Sequence, residues 1–148
     1  MNDTQKDNLF YVCSLIEFIG RKTKNRRAAV VKILGKKELN RQLELADVNH
    51  CLSFEQVSDE IIEHFNILEG DFDSVGLCKY TIPSFQSIGK EYQRLILDVS
   101  LERDNIVDVL YEVFQSFISD EISDFNSSVY YSNPEYLKYS YLEGKLLA

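Results

Sequence analysis

The sequence predicts an all-α domain, a compact bundle of about six to seven helices in two halves, with room for one short edge strand near residues 78–82. Three observations carry that expectation. Two prolines and six glycines in 148 residues are too few to punctuate the many tight turns of a β-sandwich. Apolar residues recur at the three- and four-residue spacing of helices along most of the chain. Ser, Asn or Asp stands ahead of several of these runs, where a side-chain oxygen can accept from the unpaired amides of a first turn. A chain of this length matches one domain, which buries about 68–70% of the surface its unfolded form exposes. The expected halves are residues 1–67 and 77–148.

Leu9, Val12, Cys13, Ile16 and Ile19, widened by Phe10 and Phe18, predict a first amphipathic helix from about Lys6 to Lys22. Asn25 is the expected cap of a second, which turns Ala28, Val31 and Leu34 inward and ends at Gly35, where positive φ is easily adopted. Leu39, Leu43 and Ala46 or Asp47 mark a third. Ser53 with Gln56 forms a reciprocal capping pattern before a fourth, whose stripe is Val57, Ile61, Ile62 and Phe65. The acids and glycines of NILEGDFDSVG form the junction, and LCKYTIP reads as an extended connector or short edge strand closed by Pro83. Ser84 is expected to cap a helix through Ile88, Tyr92, Leu95, Ile96 and Val99, and Asp104 a longer one from Ile106 to Phe125. Pro134 after Asn133, with Gly144 beyond, brackets a short terminal helix.

Charge is segregated along the chain. Residues 21–41 hold nine Lys or Arg against Glu38 alone, a local +8, within a protein of net charge -8. Residues 42–148 hold six basic and twenty acidic groups, a local -14, so the molecule is expected to carry one positive pole on an acidic body. Near the start, Asp3 and Asp7 beside Lys6 are unlike a secretory leader, and the apolar run from Leu9 to Ile19 is short and holds Glu17, which suits a core helix rather than a membrane span. Three cysteines, Cys13, Cys51 and Cys78, without paired spacing predict free, buried thiols and a cytoplasmic protein.

The basic segment invites a nucleic-acid reading, in which a helical hairpin presents Arg21, Lys22, Lys24, Arg26, Arg27, Lys32, Lys36, Lys37 and Arg41 to phosphates. The competing reading is a solvated face that pairs with the acidic surplus of the second half. His50 beside Cys51, with His64 further on, matches no zinc spacing, and Cys13 lies in an apolar helix face, so no metal, cofactor or catalytic residue is expected. The carboxylate pairs Asp59 with Glu63 and Asp120 with Glu121 read as solvated faces, and the GKE at Gly89–Glu91 lacks the upstream glycines of a phosphate loop. Tyr130, Tyr131, Tyr136, Tyr139 and Tyr141 fall within twelve residues and form either a protein-binding patch or an aromatic lid on the core.

The stretches LFYVCSLIEFIGRKTKN, LADVNHCLSFEQVSDEIIEHF, CKYTIPSFQSIGKEYQRLI and NPEYLKYSYLEGKL together resemble a group of small uncharacterised proteins of Gram-positive and gut bacteria. The N-terminal third is also similar to a short domain of unknown function encoded beside toxin-like genes, ADP-ribosyltransferase-like genes among them. That resemblance implies an antitoxin, immunity or accessory protein whose partner is a protein, such as a toxin encoded nearby; it is an association of genes and transfers no catalytic residue. The expectation is therefore a non-enzymatic binding protein using acidic and tyrosine-rich surfaces, with a nucleic-acid-binding regulator acting through residues 21–41 as the alternative. A small enzyme stands last.

Overall fold

Helix formation begins almost at the first residue. In the computed structural model, which describes residues 1–148, Asn2 and Gln5 form a complete capping box: Asn2 Oδ1 accepts from the Gln5 amide at 2.8 Å and Gln5 Oε1 accepts from the Asn2 amide at 3.0 Å. Helix α1 (Asp3–Thr23) therefore starts three residues before Lys6, the expected start. It buries Leu9, Val12, Cys13, Ile16 and Ile19, and ends where Lys24 turns to the left-handed region at φ 55°.

Helix α2 (Arg27–Asn49) follows at once, and Asn25 does not cap it. The cap position is Arg26, with no side-chain cap, while the Asn25 amide donates to Thr23 Oγ1 at 3.0 Å and to the Leu68 carbonyl at 2.9 Å. The expected second and third helices lie end to end within α2 and part at Gly35, as expected. Gly35, at φ 75° and ψ 165°, interrupts the helix by a single residue, and helical geometry resumes on its far side. Helix α3 (Phe54–Phe65) begins as expected at Ser53, whose hydroxyl accepts from the Gln56 amide at 3.0 Å, but only this half of the reciprocal cap forms.

Residues 66–84 contain no regular element, and the edge strand expected near 78–82 is absent; the structure has no strand at all. The backbone there finds a side chain instead of a neighbouring strand. Lys79 N donates to Asn126 Oδ1 at 2.8 Å and the Leu77 carbonyl accepts from Asn126 Nδ2 at 3.0 Å. Helix α4 (Phe85–Val99) is capped by Ser84. Helix α5 (Ile106–Gln115) is capped by Asn105 rather than Asp104, because the Asp104 carboxylate is already accepting from the Leu101 amide. The expected long helix to Phe125 breaks at Ser116, where ψ is 169°, so α6 (Ile118–Ser123) is separate. After a single 3₁₀ turn at Val129–Tyr131, helix α7 (Pro134–Glu143) has the expected Asn133 cap, Pro134 start and Gly144 end at φ 79°.

Seven helices share one apolar core of 29 residues. Its axis is α1 laid along α4, with α2 also against α1 and α5 against α2. Approach is closest at Gly89, where a Cβ would lie 2.1 Å from Ser14 Oγ and 2.8 Å from the Ser14 backbone, so only glycine admits this crossing. Tyr92 stacks on Phe114 with ring centres 4.1 Å apart, and Tyr11, Phe18, Phe54 and Phe85 make a second aromatic group joining α1, α3 and α4. Helices before and after the irregular segment thus bury the same surface. The segment itself is tied down: Gly70 N donates to the Thr23 carbonyl at 2.8 Å and Phe72 N to the Lys24 carbonyl at 2.9 Å, closing over the corner between α1 and α2.

Candidate functional site

The cationic segment runs from the last turn of α1 through α2, and seven of its nine cations have an anionic partner within the molecule. Lys22 reaches both Glu55 and Asp59 on α3, whose hydrogen bonds hold its ammonium above the usual value. Lys24 meets Glu69 at 3.3 Å in the irregular segment, Arg26 meets Asp120 on α6, and Lys36 meets Asp108 on α5 at 3.0 Å. Arg41 pairs within α2, with Glu38 at 3.0 Å. Aromatic rings add to this, since Arg21 lies 5.0 Å over Phe125, Arg26 5.0 Å over Phe72 and Lys36 5.3 Å over Tyr111. Lys32 and Lys37 alone in this group have no ion pair.

Arg21 and Arg27 converge on Glu17. Arg27 Nε and Nη2 grip the two Glu17 oxygens, each at 2.8 Å, and Arg21 Nε adds a third contact at 2.7 Å. Arg27 and Glu17 are both fully buried, so Arg27 is not available to a phosphate or to any partner, contrary to the expectation from its place in the basic segment. Burial alone would pull the Arg27 guanidinium down, but the Glu17 charge and hydrogen bonds outweigh it and hold it above its ordinary value. The remaining Arg27 donors go to the Asn25 carbonyl at 3.0 Å and Ser74 Oγ at 2.9 Å, which ties the irregular segment to the same network. Glu17 itself was legible only as a charge in an apolar run. Its i,i+4 spacing to Arg21 was a usable signal for one contact; Arg27, across the corner, gave none.

The tyrosines divide between both expected roles. Tyr130, Tyr136 and Tyr141 pack against the core: Tyr130 stands edge-on to Phe125 at 5.6 Å, Tyr136 donates to the Leu147 carbonyl at 3.0 Å, and burial raises Tyr141 above its usual value, helped by Glu112. Tyr131 and Tyr139 remain open at 65% and 50% exposure, and Leu142, one turn beyond Tyr139 on α7, is 58% exposed. Of the five tyrosines, only Tyr131 and Tyr139 are exposed.

No family model, curated protein or solved structure matches the chain. Among its own residues, no group of three or more His, Cys, Asp or Glu is placed to hold a metal ion. Cys13 is buried as expected, and burial pushes its thiol far up, which suits core rather than nucleophile. Cys51 is exposed and Cys78 half-buried, contrary to the expectation that all three thiols lie in the core. Cys51 Sγ is 3.8 Å from His50 Nε2, a loose contact on the surface after α2. No helix is long and apolar enough to cross a membrane.

Ion pairing leaves the surface one-sided. Of twenty-four carboxylates eight are in ion pairs, and the other sixteen have no cationic partner; half of the sixteen cations are likewise engaged. What the molecule presents to a partner is predominantly negative.

Proposed function

We propose that the protein is a non-enzymatic binding protein that engages a basic protein partner, in the manner of an antitoxin or immunity protein. The observation that supports this most is the internal use of the cations: pairs with acids on α3, α5, α6 and the irregular segment consume most of the positive pole, while sixteen carboxylates stay unpaired. A surface of that sign steers and orients cationic partners. Tyr131, Tyr139 and Leu142 supply exposed amphipathic area of the kind recognition surfaces use. The test is co-expression with the product of the adjacent gene. The expected result is a complex that co-purifies and protects the host cell, weakened about tenfold or more when Tyr131 and Tyr139 are both changed to Ala. A chain that elutes alone and gives no protection removes the reading.

The nucleic-acid alternative has less behind it, because Arg27 is inaccessible and only Lys32 and Lys37 of the nine lack an ion partner. Titration of duplex DNA at rising salt separates the two readings. Phosphate binding requires affinity that falls steeply with salt and is lost when Lys32, Lys36 and Lys37 become Ala.

A further inference from the structure

Charged side chains make up 27% of the protein, yet residues 77–84 and 125–134 together hold a single one, Lys79, and no carboxylate. These two segments form one surface. Asn126 bonds the Leu77 carbonyl and the Lys79 amide, the Phe125 ring stands edge-on to Tyr130, and Tyr130 edge-on to Tyr131 at 4.8 Å. Tyr80 and Ile82 are 68% and 41% exposed on it. Loss of charge with gain of tyrosine is the composition that marks the centre of a protein interface.

The backbone there is also open. Asn126 serves Leu77 and Lys79, a bend follows at Tyr80, and residues 81–84 form neither helix nor turn. The amides of Tyr80, Thr81 and Ile82 donate to no group of the chain, the Ile82 carbonyl accepts from none, and the Tyr80 carbonyl takes only the Cys78 thiol. Tyr, Thr and Ile are residues that favour strands.

We propose that residues 80–82 pair antiparallel with the same residues of a second copy, giving a weak symmetric dimer. A two-fold axis at Thr81 sets Tyr80 opposite Ile82 of the second copy, and Thr81 opposite Thr81. In that register Tyr80 and Ile82 each exchange both backbone hydrogen bonds with the residue they face, while the threonines meet as a non-hydrogen-bonded pair. Pro83, which has no amide, and Lys79, whose amide Asn126 already takes, fall on the other edge of the segment and leave the ladder intact. Each Tyr80 ring then lies across from a β-branched Ile82, a favourable cross-strand pair.

Charge and symmetry favour a second copy over another occupant. At net charge -8, two copies that met through acid-bearing faces would repel, whereas this face brings no carboxylates together. A partner chosen for its basic character would find no anion on it. Identical segments related by a two-fold match donor to acceptor without further adjustment. The contact is small, which places the dimer among weak associations. This pairing goes beyond the partner-binding reading and is tested on the chain alone.

Sedimentation velocity of the full chain from about 10 μM to about 1 mM should show a reversible rise from monomer towards dimer mass. Joint replacement of Tyr80→Glu and Ile82→Glu should weaken association about tenfold or more, with thermal melting close to the parent's because both side chains are exposed. Amide exchange followed by NMR reads the register: Tyr80 and Ile82 should slow as protein concentration rises, while Thr81 stays fast. A chain that remains monomeric to about 1 mM overturns the proposal. So does a dimer that survives the double replacement, or one in which Tyr80 and Ile82 exchange no more slowly than Thr81. Slowing of those amides only when a different protein is added would give the edge to that protein's strand, and overturns the pairing of copies equally.

Discussion

Arg27 joins Glu17 to Asn25 and Ser74 in one buried network, and its loss would leave Glu17 with Arg21 as its remaining cationic partner. Breaking a buried pair leaves the carboxylate underpaired, so Arg27→Ala should destabilise the fold in chemical denaturation, by about 3 kcal/mol because Arg21 still meets the charge, whereas the joint replacement Glu17→Leu with Arg27→Met should restore part of it. A neighbouring glycine sharpens the test. A Cβ on Gly20 would lie 2.5 Å from Arg27 Cδ, so Gly20→Ala should be destabilising beside Arg27 and tolerated once Arg27 is Ala. A second residue reports through pH. Burial raises the Glu91 carboxyl, with Arg94 opposing, so the folded state holds that proton more tightly than the unfolded one. Glu91 therefore costs stability above its folded pKa, and the cost disappears as pH falls below the unfolded value. Glu91→Gln should raise stability at neutral pH, with the gain shrinking to nothing on acidification, as followed by urea titrations across the acid range. At this scale the apolar core was readable from spacing alone; the buried Arg27 was not, because a run of cations gives no sign of which one has an anion waiting across a corner.

Among elements, α2 depends on a single backbone setting. Gly35 occupies a φ, ψ region nearly closed to other residues, and a Cβ there would meet nothing within 4 Å. Gly35→Ala should thus cost about 1–3 kcal/mol from the backbone alone, without any clash, and a melting curve would register it. Helix identities were legible wherever capping residues stood before a periodic stripe, as at Ser53, Ser84 and Asn133. They were less so where local choices competed. Asn25 and Asp104 both look like caps, but each side chain is engaged elsewhere, Asn25 with the Leu68 carbonyl and Asp104 with the Leu101 amide, and the cap positions fall at Arg26 and Asn105. Asn2 went unread because the periodic stripe begins only at Leu9. The missing strand at 78–82 has a comparable cause, since Asn126 lies far away in sequence and supplies what a neighbouring strand would have supplied.

For the whole molecule, the electrostatic balance decides behaviour in salt. Exposed ion pairs are worth about 0–1 kcal/mol each and are screened, whereas the Arg27–Glu17 pair is shielded from solvent. Repulsion among the unpaired carboxylates of a chain at net charge -8 acts over longer distances. Raising ionic strength from about 0.01 M to about 0.1 M shortens the screening length from about 30 Å to about 10 Å, so the melting temperature should rise over that interval; a fall would mean that the exposed pairs dominate. The sequence made the charge segregation visible, and with it the prospect of a positive pole. Pairing with the acidic second half was the competing reading, and Arg26 with Asp120 and Lys36 with Asp108 follow it; which carboxylate meets which cation was not legible, because the partners of Lys22, Arg26 and Lys36 lie on three different later helices. The clamp over the α1–α2 corner extends this logic to motion. Its amides at Gly70 and Phe72 are held by carbonyls of the corner, so in deuterated solvent they should trade their protons as slowly as the helix ends they cover, and the least regular stretch of the chain should loosen only when the bundle does.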